Sequence, residues 1–587
     1  MSTNKQFELD KHSSSNKIEF IDVGYKLLNQ NDDDQKEIIR QDLDKKYKNE
    51  LVFNTNTLPE TTKKKVSDCQ SNIDFIKNDI YYNYENETES KDLNNKYGIT
   101  VNKNVYTDPL NNKEYEDHTY LQVVFSILQS SMPATCSLLF VFITETINIV
   151  IIGRLNNPML IASIGLGTLY VNATGYIPGM GLLGGIETLC SQAYGKKKYS
   201  MVGNFASVGR LTVILFFVLF SIPMNFLSYI LLNLIGIESE ICLQASHFCH
   251  AMSISVFFAL QFNTSLRYLQ SMNIYLPGSL ITLVTAILHP LWSMLLVYTF
   301  GLGVVGAGLS IGITQFINFV TITIYIHLKN PCPESYFYIG KLTFKFNFIK
   351  DYLYKAVPAG LMFAADWIGF EILTFLSSFL GPVSLAANVC MFNFISIIFI
   401  FHLGLSLTTT TLVGNSVGAG NKTNIYRYSV TALLIGVIMM IISTSLVMIF
   451  RSSIPHLYTD EKSVGELFYN LLGIYMIFSI PDSIQMILHG IIKGLGRQKW
   501  ASVCCLIVLY PINTSLGYTL AFYFKLGIMG LWYSQMTSIF LLIISYLAVY
   551  MKCDIDEIIE EVKTVLDSRR NSIELSEKLL TSISKIN

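Results

Sequence analysis

Residues 268–328 read YLQSMNIYLPGSLITLVTAILHPLWSMLLVYTFGLGVVGAGLSIGITQFINFVTITIYIHL, 61 residues without one Asp, Glu, Lys or Arg. A helix crosses the hydrocarbon layer in about 20 residues, so this stretch holds at least two crossings. Ile372 to Asn421 adds 50 more uncharged residues and demands the same. Working outward from these runs, apolar character extends from about residue 119 to residue 551. The whole chain is 51% hydrophobic and only 14% charged, with a mean hydropathy of +0.41. A soluble chain carries nearer one charged residue in four. The fold class is therefore an all-α membrane protein.

Breaks at charges, prolines and glycine clusters divide the apolar region into twelve spans. They cover 120–152, 159–187, 203–234, 243–269, 276–300, 303–328, 352–380, 384–412, 425–450, 465–492, 500–524 and 527–551. The two sets of six repeat one another. Pro133 in Ser-Met-Pro-Ala matches Pro358 in Ala-Val-Pro-Ala, and Gln192-Ala193-Tyr194-Gly195 matches Asn415-Ser416-Val417-Gly418. Gly303-Val304-Val305-Gly306 matches Gly527-Ile528-Met529-Gly530. Three matches in order, at offsets of 223–225, argue for an internal duplication. With six spans in each copy, both halves enter from the same side and their axis runs along the membrane normal. The expected organisation is a polar, disordered cytoplasmic tail over 1–118, a six-helix lobe over 119–328 and a linker over 329–351. A second six-helix lobe over 352–551 and a cytoplasmic tail over 552–587 follow.

Positive charge sets the orientation. With the N-terminus in the cytoplasm, the inner loops and span ends hold fourteen Lys and Arg, among them Lys196–Lys198, Arg267, Lys422 and Lys493. The outer ones hold four: Arg154, Arg451, Lys462 and Lys525. This positive-inside bias places both termini in the cytoplasm. Met1-Ser2-Thr3-Asn4-Lys5 opens without an apolar run, so no cleaved signal is expected and the first span acts as its own insertion signal. In the last tail, Ile555, Ile558, Ile559, Val562, Val565 and Leu566 recur with a helical period, giving an amphipathic helix for the membrane surface or the inner loops. The ten cysteines show no metal-ligand spacing and imply no disulfide framework.

Three carboxylates lie deep in the second half: Asp366, Glu371 and Asp482. A charge at the bilayer centre costs at least ~2.5–3.5 kcal/mol, so intramembrane acids usually line a polar cavity. An acid in such a site can take up and release a proton near neutral pH. Asp366 lies ~22 Å along the seventh span, near its middle. Glu371, five residues on, points ~140° away from it. Asp482 follows Pro481 at comparable depth in the tenth span. In the first half, Glu145 and Asn148 lie near the outer end of span 1, Asn172 inside span 2, and Glu187 and Gln192 at its close. No Walker loop, nucleotide-binding glycine loop or nucleophile elbow occurs, so coupling to ATP within this chain is not expected, nor is enzymatic activity.

At these residues the chain resembles a eukaryotic multidrug and toxic compound extrusion (MATE) transporter, over about 121–551. The resemblance rests on Ile186-Glu187-Thr188-Leu189-Cys190-Ser191-Gln192-Ala193-Tyr194-Gly195, Asp366-Trp367-Ile368-Gly369-Phe370-Glu371 and Lys493-Gly494-Leu495-Gly496-Arg497-Gln498-Lys499. It implies two six-helix lobes in a V around a central cavity, exporting organic cations or drugs by alternating access. It also implies roles in binding and coupling for Asp366, Glu371 and Asp482, where Asp replaces the commoner Glu at 366 and 482. Trp367, Asn172, Gln192 and Glu145 complete the expected substrate and ion site. Bacterial relatives often carry Asp at the position of Asn148, and an amide cannot be the coupling acid there.

The implied function is secondary antiport driven by H⁺ or Na⁺, with no cofactor and no metal. Small organic cations and the bilayer are the expected partners, with no nucleic acid and a monomeric chain, in a plasma or vacuolar/vesicular membrane. A flippase for lipid-linked sugars would instead hold phosphates with Arg or Lys in the central cavity. A multi-pass enzyme would gather His, Asp and Arg at one membrane face, and a receptor would not need the duplication.

Overall fold

Hydrocarbon offers no partner for a backbone N–H or C=O, so a chain of this composition satisfies its backbone within helices. The computed structural model describes residues 117–154, 158–335, 337 and 343–568. Among them there is helix and no strand. Apart from Asp117 and His118, the tail over 1–118 lies outside the described residues, as does the chain beyond 568.

Eleven helices among the described residues are long and apolar enough to cross a membrane. Span 1 is Tyr120–Ile152, and spans 3 to 6 are Tyr199–Phe226, Ser239–Ser271, Leu276–Thr299 and Gly303–Lys329. Spans 7 to 12 are Phe346–Ser378, Pro382–Ala419, Lys422–Phe450, Lys462–Gly494, Gln498–Tyr523 and Ile528–Met551. The second span is broken into Pro158–Val171, a π-helical turn at Asn172–Tyr176, and the helices Ile177–Leu182 and Gly184–Gly195. Its sequence explains the breaks: Gly175, Pro178, Gly179, Gly181, Gly184 and Gly185 weaken the regular ladder at close intervals.

The duplication is visible in backbone detail. Span 5 ends in a π turn at Leu295–Thr299, and span 11 ends in one at Thr519–Tyr523, 224 residues later. Gly306 packs on the Leu296 backbone as Gly530 packs on that of Leu520. A shared geometry at a constant offset is the product of one repeated unit rather than of chance matches in sequence.

The two lobes build separate cores. One cluster draws on Ile151 to Ile322, with Tyr352 and Phe348 added at its edge. Two more lie mainly in the second lobe, one centred on Leu405, Ile487 and Tyr546 and joined by Val123 and Ile127 of span 1, the other on Phe468, Tyr475 and Trp532. Leu121, Ile287, Leu291 and Leu457 stay exposed at the lipid-facing surface. The lobes meet from mid-depth to the face that carries Lys196–Lys198, Lys422 and Lys499, called here the basic face. There the glycines allow backbones to touch: a Cβ on Gly181 would stand 2.6 Å from the Gly360 Cα, and one on Gly418 1.9 Å from the Gln192 oxygen.

The amphipathic period at 554–566 forms a helix over residues 555–568, and it packs against both lobes at the basic face. Ile555 and Ile558 enter a second-lobe core, Leu566 enters the first-lobe core, and Val562 packs against both. Its acids pair with both lobes. Asp567 reaches Lys198 at 3.2 Å, Glu561 reaches Lys355 at 3.9 Å and also Arg497, and Asp556 holds Lys422.

Candidate functional site

A central cavity with about 1610 Å³ of empty space, open solvent included, lies between the lobes. It runs from Ile149 near the far end of span 1 to Glu187, Arg267 and Lys493 toward the basic face. Glu145 and Asn172, both expected in the substrate and ion site, line it. Asn172 opens the π turn of span 2. Such a turn shifts the helix register and frees local backbone groups, a common device at functional sites.

Trp367 lines this cavity and also a smaller one of about 280 Å³ that contains Asp366. Phe392, Ser396 and Phe399 are shared in the same way, so a thin, mostly aromatic wall separates Asp366 from the central space. The Trp367 ring packs edge-on against Phe399 at 5.6 Å between centroids. Asp366 itself faces the interior of its own lobe. Gln485 donates to its Oδ1 at 3.4 Å, the Cys505 thiol approaches at 3.9 Å, and His489 Nδ1 stands 3.6 Å from Oδ2.

Asp482 is buried and sits beside a second histidine, with His402 Nδ1 3.6 Å from its Oδ2. His402 and Met440 Sδ lie 2.8 Å apart on the opposite side of the ring. Glu371 is half-buried and is not among the residues lining either cavity. The structure thus sets Asp366 and Asp482 each against an imidazole, in separate places, and brings Glu371 to neither.

The first lobe has a different polar centre. Asn148 Oδ1 accepts from Ser293 at 2.6 Å and Ser310 at 3.1 Å and meets His289 Nε2 at 3.0 Å, while its Nδ2 donates to the Ala307 carbonyl at 3.1 Å. His289 Nδ1 in turn meets Thr314 Oγ1 at 2.7 Å, and Trp292 donates to the same hydroxyl at 3.0 Å. Every polar atom of the amide has a partner. Asn148 works as a fixed tie between spans 1, 5 and 6.

The floor of the cavity joins the lobes. Lys493 of span 10 donates to Glu187 of span 2 at 2.7 Å, and Arg267 Nε of span 4 lies 3.2 Å from the other carboxylate oxygen. All three side chains are buried. Around them Thr188 donates to the Lys493 carbonyl, and Gln192, expected in the binding site, donates instead to the Gly494 carbonyl at 3.0 Å. The two most distinctive motifs of the sequence, 186–195 and 493–499, are therefore one structure in two pieces.

Sequence reasoning missed this floor because Arg267 and Lys493 were counted among loop-end charges. Long basic side chains turn their heads several ångströms from their backbone depth, and here they turn into the cavity. The available signal was Glu187, a buried acid within an otherwise uncharged motif that requires a counter-charge. The pairing of His489 with Asp366 and of His402 with Asp482 escaped the sequence for a different reason: span 10 meets spans 7 and 8 only in three dimensions. Among the described residues no group of three or more His, Cys, Asp or Glu could hold a metal ion.

A family model, MatE, matches residues 133–295 and again 358–519, one copy on each lobe. Protein DETOXIFICATION 16 of Arabidopsis thaliana is 30% identical over 410 residues, 68% of this chain and 82% of that protein. Multidrug and toxin extrusion protein 1 of Xenopus tropicalis is 27% identical over 459 residues, 77% of this chain and 78% of that protein. Among solved structures, the eukaryotic MATE transporter AtDTX14 aligns with a TM-score of 0.71 at 21% identity, over 76% of this chain and 99% of that one. The repeated six-span lobe, the cavity between the copies and the double family match lead to one conclusion: this chain is a member of the MATE family, a multi-pass membrane transporter.

Proposed function

We propose that the chain exports small organic cations or drugs from the cytoplasm in exchange for protons, with the basic face and both termini in the cytoplasm. The carrying observation is Asp366: a carboxylate with 12% of its side chain exposed, one aromatic wall from the central cavity, set against an imidazole instead of a fixed cation. Cation binding in the cavity and proton binding at Asp366 then compete through the electrostatics of a low-dielectric interior. Protonation from the far side expels the cation and favours reopening to the cytoplasm, and proton release there restores the anionic site.

The surroundings of Asp366 favour H⁺ over Na⁺. A hard cation needs a shell of oxygen ligands. Asp366 instead meets an imidazole nitrogen, an amide nitrogen and a thiol. The cavity walls supply aromatic faces at Trp367, Phe392 and Phe399 for an organic cation. Arg267 and Lys493 do line the cavity, as phosphate-binding residues of a flippase would, but both are engaged by Glu187.

Purified protein in liposomes tests this reading, with cation efflux measured under a pH gradient and a Na⁺ gradient imposed separately. Efflux driven by the pH gradient alone is the expected result. Efflux that follows only the Na⁺ gradient, or neither, removes the proposal.

A further inference from the structure

His489 lies between the acid that the proposed function relies on and the floor that holds the lobes together. It is 2% exposed, its Nδ1 stands 3.6 Å from Asp366 Oδ2, and neither ring nitrogen has a hydrogen-bond partner among the described residues. Lys493 follows four residues later on the same helix, one turn away and ~6 Å along the axis. The groups around it can be named element by element. Span 7 presents Asp366, span 11 presents Cys505 against that acid, and span 12 presents Tyr546 with its ring centroid 6.4 Å from the imidazole. Glu187 of span 2 and Lys493 act on it through their charges, while span 8 presents neutral Ser406 and Thr410 at the neighbouring Gly490.

The charges of this region balance. Asp366 and Glu187 contribute two negative charges, and Lys493 and Arg267 contribute two positive ones. With a neutral imidazole the buried cluster sums to zero. One added proton, on either member of the Asp366–His489 pair, leaves it at +1 with no counter-charge. An uncompensated charge among buried groups is strongly unfavourable, and admitting water relieves it. Among the described residues the Lys493–Glu187 ion pair crosses between the lobes, flanked by Thr188 and Gln192 on the Lys493 and Gly494 carbonyls, so water enters where these contacts part.

We propose that His489 is a positioning residue for the coupling proton: it shares that proton with Asp366 and turns its arrival into opening of the Glu187–Lys493 floor toward the basic face. The inference rests on the proton-exchange reading above and adds the residue and the trigger. Loading the proton unbalances the cluster and opens the floor, and releasing it restores the balance and closes the floor. A histidine serving only as packing would leave the pH response of the floor unchanged.

Two measurements test this on the full chain. In wild-type protein in lipid nanodiscs, amide hydrogen exchange over residues 487–496, corrected for intrinsic rates, should rise severalfold as the pH is lowered. Protection that does not change with pH overturns the proposal. In liposomes, H489Q keeps a planar polar side chain that cannot be protonated, and its rate of exchange should lose most of the wild-type dependence on pH. A slower H489Q with the wild-type profile shows a packing role and overturns the inference while leaving proton exchange standing. Wild-type transport indifferent to the pH gradient overturns proton exchange itself. The swap D366H with H489D preserves an acid–imidazole pair and should recover a pH response that H489Q lacks, and a swap that exchanges without one counts against the proposal.

Discussion

Gly195 approaches Asn415 so closely that a Cβ would stand 1.9 Å from the Asn415 carbonyl oxygen, and the repeat-related Gly418 stands in the same relation to Gln192. The two contacts exchange under the 223-residue offset of the duplication, so the pseudo-two-fold axis passes between them. At this point the ends of spans 2 and 8 touch backbone to backbone, and closure at the basic face depends on the absence of two methyl groups.

Gly195→Ala and Gly418→Ala should each slow cation exchange by at least about tenfold, ~1.4 kcal/mol of lost closure. Gly165→Ala is the control, since nothing lies within 4 Å of that site. Transport in liposomes reads the outcome. Normal exchange in both variants would mean that the lobes do not close here.

Asp366→Asn should lower exchange by at least about tenfold with expression and thermal stability close to wild type. The amide retains volume and hydrogen bonding and loses only the titratable charge. Near-normal transport would take Asp366 out of the mechanism.

Glu145→Gln and Asp482→Asn separate cation binding from proton coupling. Glu145 lines the wide cavity, so its loss should raise the apparent KM and leave the pH profile in place. Asp482, buried against His402, should on substitution flatten that profile. The reverse pattern would place coupling in the first lobe.

Asn148→Leu should destabilise the protein by about 2–4 kcal/mol, because Ser293, Ser310 and the Ala307 carbonyl lose a buried partner. Thermal unfolding in detergent measures this. Protein that survives should keep the wild-type pH profile, since the amide carries no titrating group.

Much of this arrangement is legible before any coordinates. Uncharged runs disclose the crossings, and isolated acids within them disclose Asp366 and Asp482. The motifs 186–195 and 493–499 stand out as sequence, yet only the folded chain shows them clasping each other. Two kinds of fact stayed hidden. The direction of a long side chain, as at Arg267, is decided by a counter-charge 80 residues away at Glu187. Pairings across spans, such as Asp366 with His489, depend on helix packing that a single sequence does not encode locally. Gln192 shows the same limit from the other side: expected in the binding site, it holds the Gly494 carbonyl and does not line the cavity.

The helix over 555–568 grips both lobes through carboxylate–ammonium and carboxylate–guanidinium pairs at the aqueous edge of the basic face. The side chains of Asp556, Glu561 and Asp567 are 68%, 40% and 45% exposed, so dissolved ions reach these pairs freely. At 0.15 M salt the Debye length is about 8 Å, and at 1 M it is about 3 Å. The hold of this helix on the two lobes therefore weakens as the bathing solution becomes more saline. In the proposed exchange, the balance between open and closed forms then becomes a property of the ionic strength around the protein as well as of its own residues.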